Sequence, residues 1–285
     1  MNGQKLYSCI VLSGGMSRRM GQDKGSMIIQ EKPMILHILE RLNYKINDAT
    51  IVLNDAERIA NYQSLLNQYC EGKIEDNFDY SLSFVEDEIK EKGPISGIMT
   101  GLKNIKTDYA LVLPCDSPFI SEGFIETIFK LLEENLESDV DAIIPFHIKS
   151  NKDKFKDNDE FNFDDASEMT VDMKIANSEP LHSIYKKENL NKIDELLKED
   201  NLYVKSFIRS LKNPCFIEVD NKVLFEKDFR NFNRKEDLED LEDFDRDDFD
   251  AALNDFSDSL GDPLGDPLGD PLILFIHDAP APPAW

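Results

Sequence analysis

Apolar positions along this chain follow two periods, and the two take turns. "YSCIVL", Tyr7 to Leu12, is apolar and β-branched and stops at Gly-Gly, which predicts a buried strand. Behind Pro33, the residues Met34, Ile35, Ile38, Leu39 and Leu42 fall at helical spacing, and proline suits a helix's first turn. "ATIVLND" (Ala49 to Asp55) predicts a second strand, with a helix over about Ala56 to Tyr69. A third strand is predicted at Leu82 to Asp87, and a turn that becomes helical at Gly93 to Lys103. "DYALVLPCD" (Asp108 to Asp116) predicts a fourth strand, nearly all apolar until its last residue. Ser121 is a good N-cap for a helix reaching Glu134, with Phe124, Ile125, Ile128, Phe129 and Leu132 on one stripe. Asp141 to Phe146 predicts a fifth strand. Strands alternating with helices imply an α/β fold, a three-layer α/β/α sandwich around a mostly parallel, Rossmann-like sheet.

From about Lys149 to Asn177 the periodicity fails, and a charged, mobile insertion loop is expected. Order is expected again at Glu179 to Lys187, in a helix from Leu190 to Lys198, in a segment from Val204 to Leu211 and in a strand from Cys215 to Asp220. Phe229 to Glu242 reads as a strand end turning into a last helix. Past Asp243 acids alternate with Phe and Leu, "GDPL" repeats three times, and the end is "APAPPAW". The expected organisation is therefore one domain over residues 1–242 and an acidic tail over 243–285, a disordered appendage or scar.

Composition narrows the function classes. Of 285 residues 41% are hydrophobic, enough for one large core, and no apolar run approaches the roughly 20 residues of a membrane span. Cys9, Cys70, Cys115 and Cys215 are scattered without a C-x-x-C pair, which argues against a disulfide framework or a cysteine zinc site and fits a cytoplasmic setting. The net charge is −25; fourteen acidic residues against one basic, from Glu239 to Trp285, supply −13, leaving −12 on the first 238 residues. A negative body disfavours nucleic acid and anionic lipid as partners.

Against that background "LSGGMSRRMGQDKG" (Leu12 to Gly25) stands out as a glycine-rich, cationic loop leaving the first strand. Gly14, Gly15 and Gly21 permit a backbone that aims N–H groups at a phosphate, and Arg19 and Lys24 add charge for its oxygens. Neither the Walker nor the Rossmann glycine pattern is present, and a plain glycine turn with surface arginines is the bland alternative. Asp116 ends its strand on the same rim, where a carboxylate suits a Mg²⁺ that bridges nucleotide phosphates. Asp87 ends a strand too; for either residue taken singly, a turn or an N-cap is the alternative.

With "GPISGI", "LPCDSPFI", "EPLHSIY" and "FRNFNRKEDL" following in order, the chain resembles the molybdenum cofactor guanylyltransferases, within the wider nucleotidyltransferases. The resemblance runs from about Tyr7 to Leu238, and Gly14-Gly15 favours the guanylyl over the cytidylyl branch. It implies transfer of GMP from GTP to molybdenum-molybdopterin with release of pyrophosphate, and hand-over of the finished cofactor to molybdoenzymes or other cofactor-synthesis proteins. It implies GTP contacts from Leu12, Ser13, Gly14, Gly15, Lys24, Asn54, Asp87 and Asp116, with Asp116 on the metal and Arg19, Lys24 and Asp116 as the catalytic set. His182, Asn231 and Asn233 would face the second substrate, although His182 also reads as a packed residue. The sequence departs from the family in the 149–177 insertion and in "NFNRKEDL", where Thr-Pro is usual. The rival readings are a cytidylyl or other transferase with a different phosphorylated acceptor, and a non-catalytic GTP-binding scaffold whose acidic tail recruits a partner.

Overall fold

The computed structural model describes residues 7–13, 23–43, 45–70, 72–148, 169–220, 224 and 226–229. Nine strands and seven helices are found among them. In chain order they are β1 (Tyr7–Leu12), β2 (Ile28–Ile29), β3 (Lys32–Pro33), α1 (Met34–Arg41), β4 (Asp48–Leu53), α2 (Ala56–Leu66), β5 (Ser81–Glu86) and α3 (Pro94–Asn104). Then come β6 (Tyr109–Pro114), α4 (Glu122–Asn135), β7 (Ala142–Phe146), α5 (Val171–Ala176), β8 (Ile184–Lys186), α6 (Leu190–Lys198), α7 (Val204–Ser210) and β9 (Pro214–Glu218).

The strands β5-β4-β1-β6-β8-β7-β9 form one sheet in that order. Every pairing is parallel except those of β8, which runs against both β6 and β7. The period of two seen in the sequence assigns side chains to the two faces. Leu111 and Leu113 of β6 join Cys9 and Val11 of β1 under α1, α2 and α4. Ala110 and Val112 join Ile10 on the opposite face, under α3, α5, α6 and α7. The predicted stripe of α4 is buried from Phe124 to Leu132, each large side chain contributing about 1.5–3 kcal/mol. A three-layer α/β sandwich with a mostly parallel sheet results. No helix among the described residues is long and apolar enough to cross a membrane.

The predicted strands and helices in the first 148 residues match observed ones to within a few residues at their ends. Two features differ from expectation. The insertion is not structureless throughout: Thr170 caps α5 by accepting from Met173 N at 3.3 Å, and Ile175 is buried in the second core. A six-residue helix with one deeply buried anchor is too short to show a period inside a charged run. The hairpin β2–β3 was also not anticipated, because its turn, Gln30-Glu31, carries no glycine or asparagine. Residues 149–168, the predicted helix beyond Phe229 and the 243–285 tail lie outside the described residues.

Candidate active site

Because β1, β4, β5 and β6 are parallel, their carboxyl ends share one rim, which carries Ser13, Asn54, Asp87 and Asp116. From β1 the chain adds β4 and β5 on one side and then returns to lay β6 on the other. The gap between β1 and β6 is therefore the point where strand order reverses, the usual place for a ligand in an open α/β sheet. Cys115 N donates to Leu12 O at 3.0 Å, so both strands keep their register up to that point.

Lys24 opens a short 3-10 turn, Lys24–Ser26, capped by Asp23, whose carboxylate accepts from Gly25 N at 3.1 Å. From this turn Lys24 Nζ donates to Asp116 Oδ2 at 2.7 Å, with the two side chains 21% and 18% exposed. An ammonium and a carboxylate so placed at a half-shielded rim interact more strongly than a fully exposed pair. The second oxygen of Asp116 keeps acceptor capacity for a cation or a donor.

Behind the pair stands Tyr62 of α2, 2% exposed. Its hydroxyl lies 2.6 Å from Ser13 Oγ and also bonds Asp23 Oδ1. Carboxylates only accept, so Tyr62 donates to Asp23 and the Ser13 hydroxyl donates to Tyr62. Burial first, and the neighbouring acidic groups after it, hold the Tyr62 phenol far above the ordinary tyrosine range, so it keeps its hydrogen. Arg58 Nη2 approaches Asp23 Oδ2 at 3.0 Å; the angle is poor for a hydrogen bond, and the contact counts as charge pairing. Arg58 and Tyr62 sit one turn apart on α2 and face the same carboxylate. Nothing in the local sequence marked them, although their i, i+4 spacing is visible once Asp23 is known to lie opposite.

Three of the candidate residues are buried and already hydrogen-bonded within the protein. Ser13 is 1% exposed, its N–H donates to Val52 O at 3.0 Å and its hydroxyl hydrogen goes to Tyr62, so neither donor is left for a phosphate. Asp87 is 9% exposed and accepts from Ser96 Oγ at 2.7 Å, Thr100 Oγ1 at 2.9 Å and Ile89 N at 3.3 Å. It ties the loop after β5 to the start of α3, the turn-forming alternative noted for it. His182 is enclosed: it is 1% exposed, its Nε2 lies 3.0 Å from Ser117 Oγ, and Phe124 and Phe229 stand edge-on to its ring. It braces the turn after Asp116 from within the core and is not open to a second substrate. Burial pulls its pKa down to about 4, so the ring is neutral. Burial likewise pushes the Cys115 thiol up to about 12, which fits a packed residue and not a nucleophile.

Asn54 is half-buried at the end of β4, beside Asp55, which caps α2 by accepting from Arg58 N at 2.8 Å. Leu12 is half-buried on the α3 face of β1. Gly14, Gly15, Arg19, Asn231 and Asn233 lie outside the described residues. At the end of β7, on the same rim, His147 Nε2 pairs with Glu179 Oε1 at 3.2 Å. No group of three His, Cys, Asp or Glu among the described residues could hold a metal ion by itself.

The profile of the MobA-like NTP transferase domain matches residues 9–214, more than half of the chain and the whole of the rim described above. The chain belongs to the MobA-like NTP transferases. A probable molybdenum cofactor guanylyltransferase of Methanothermobacter thermautotrophicus is 31% identical to this transferase over 234 residues, 82% of this chain and 98% of the relative. A second, from Peptoclostridium acidaminophilum, is 28% identical over 85% of this chain and 90% of its own length. Among solved structures, molybdopterin-guanine dinucleotide biosynthesis protein A of Archaeoglobus fulgidus superposes with a TM-score of 0.58 at 21% identity, covering 84% of this chain and 99% of that one. A 4-diphosphocytidyl-2C-methyl-D-erythritol synthase from Anaerococcus prevotii gives 0.54 at 13% identity, over 82% of this chain and 95% of that one. The two structural likenesses show a shared fold. The chain is accordingly a nucleotidyltransferase.

Proposed function

We propose that this transferase moves GMP from GTP to molybdenum-molybdopterin, yielding the guanine dinucleotide form of the cofactor and pyrophosphate. The observation that carries the reading is the meeting of Lys24 and Asp116, 2.7 Å apart, at the reversal point between β1 and β6. An oxygen of the acceptor's terminal phosphate bonds to the α-phosphorus, the bond from that phosphorus to the bridging oxygen breaks, and pyrophosphate carries the electron pair away. The attacking phosphate is already anionic near neutral pH, so no general base is required. The main obstacle is repulsion between polyanions together with charge collecting on the leaving group. Lys24 neutralises part of that charge, Arg19 of the same motif would share it, and the rim aligns the two substrates.

Asp116 suits Mg²⁺ of the kind that keeps its waters and takes one or two carboxylates plus substrate phosphates; three-residue cages are absent among the described residues. Bound there with nucleotide, the ion would supply charge neutralisation at the phosphates. Asn54, half-buried at the end of β4, is assigned to the base and ribose side, and Asn231 and Asn233 to the acceptor. A cytoplasmic setting fits a soluble cofactor precursor as substrate.

Pyrophosphate release with GTP, Mg²⁺ and molybdenum-loaded molybdopterin tests this, with CTP expected to be a poor replacement. Asp116→Asn, nearly isosteric, is expected to lower the rate by at least about a hundredfold with unfolding behaviour unchanged. Equal use of CTP moves the reaction to the cytidylyl branch, and near-wild-type turnover in Asp116→Asn removes that carboxylate from the chemistry.

A further inference from the structure

We infer that Tyr62 is a positioning residue for the nucleotide: its phenol ties Ser13 to Asp23, across the 14–22 segment, and thereby sets Lys24 against Asp116. The inference deepens the nucleotide-transfer reading and rests on it. Ser13 ends the first strand and Asp23 opens the turn that carries Lys24, yet neither is hydrogen-bonded to the other among the described residues. Nine residues separate the two along the chain, and holding the ends of a stretch of that length together costs chain entropy, on the order of 2 kcal/mol from the logarithm of its length alone. The directed chain Ser13 to Tyr62 to Asp23 offsets it with one buried and one part-buried hydrogen bond, the latter to a charged acceptor.

Three details separate this from ordinary packing. Of the other buried tyrosines, Tyr80, Tyr109 and Tyr185 each donate to a backbone carbonyl, of Leu39, Val140 and Pro180 respectively, and Tyr7 donates to one carboxylate, that of Glu133. Tyr62 instead meets two side chains, from the two residues that border the glycine-rich segment. Arg58, on the same face of α2, adds charge to the same Asp23. The space is also exact to an atom: a Cβ on Gly25 would sit 2.5 Å from the Tyr62 hydroxyl, 3.0 Å from Ser13 Oγ and 3.2 Å from Cys115 Cβ. Lys24 thus has a glycine behind it so that the tie can pass, and the position of its ammonium follows from α2, an element that need not touch substrate.

The test compares full-length wild type with Tyr62→Phe, Ser13→Ala and, as a core control, Tyr80→Phe, by calorimetric titration with Mg·GTP, Mg·CTP and Mg·UTP and by thermal unfolding. Tyr62→Phe is expected to weaken binding of the preferred nucleotide on the order of tenfold and to raise its KM, leaving the KM for the acceptor within about twofold. Ser13→Ala, which keeps the phenol and cuts one arm of the tie, is expected to lose affinity in the same direction. Tyr80→Phe is expected to lower the melting temperature without weakening the nucleotide. Wild-type affinity in Tyr62→Phe and Ser13→Ala overturns the inference. So does a loss shared by Tyr80→Phe in step with its melting temperature. A wild-type protein that prefers CTP or UTP overturns the guanylyl assignment alone, and the tie is then read with that nucleotide.

Discussion

His182 shows what it costs to brace a reactive edge from inside a core. Its ring is neutral because burial has lowered its pKa from the ordinary value near 6.5 to about 4, and its Nδ1 has no hydrogen-bond partner. A tautomer with the hydrogen on Nε2, donated to Ser117, leaves only a bare acceptor buried, the lesser of two penalties. Between pH 6.5 and 4 the unfolded chain takes up a proton that the native ring refuses. Stability therefore falls as pH drops through that window and is flat above it, by up to on the order of 3 kcal/mol. Urea unfolding at pH 7, 6 and 5 checks this: His182→Gln is expected to lose less stability than wild type over the interval, and parallel curves would remove His182 as the cause. At this scale the sequence was informative where chemistry is contiguous. Asp23 and Lys24 stand inside one motif, and Asp116 ends one apolar run. Tyr62 was not legible, because 39 residues separate it from Asp23 and the contact exists only after α2 has packed. Ser13, Asp87 and His182 show the limit from the other side: polar residues near a rim look alike in sequence, and burial decides which of them face inward.

Elements were most legible where periodicity is long. α4 and β6 needed no tertiary help, since one carries a five-residue stripe and the other is buried on both faces. β8 is the instructive case. "SIY" with its flanks was expected to be ordered, yet nothing in three apolar-edged residues says that the strand runs backwards between β6 and β7. The hairpin β2–β3 holds a second local conflict. Gln30 and Glu31 adopt φ of 45° and 65°, a region costly for residues with a Cβ and free for glycine. Glu31→Gly is accordingly expected to stabilise the protein by about 0.5–1 kcal/mol in urea titrations, and a loss of stability would show that the Glu31 side chain has a compensating contact.

For the molecule as a whole, charge divides unevenly. Residues 239–285 carry −13 of the −25 and lie beyond the matched family region, which ends at residue 214. A chain ending at residue 242 is expected to keep its transferase rate within about twofold; loss of activity on truncation would make the tail part of the enzyme, while loss of a partner alone would support the scaffold reading of the tail. The reversed strand β8 has an effect of its own on evolution and engineering. It splits the sheet into a four-strand parallel block that carries Lys24 and Asp116 at its rim and a two-strand parallel block, β7 with β9, beyond it. Only β8 presents its beginning, and not its end, to the rim. β8 is thus the seam between the two blocks, hydrogen-bonded to β6 on one side and to β7 on the other, and re-engineering of either block has to preserve its register.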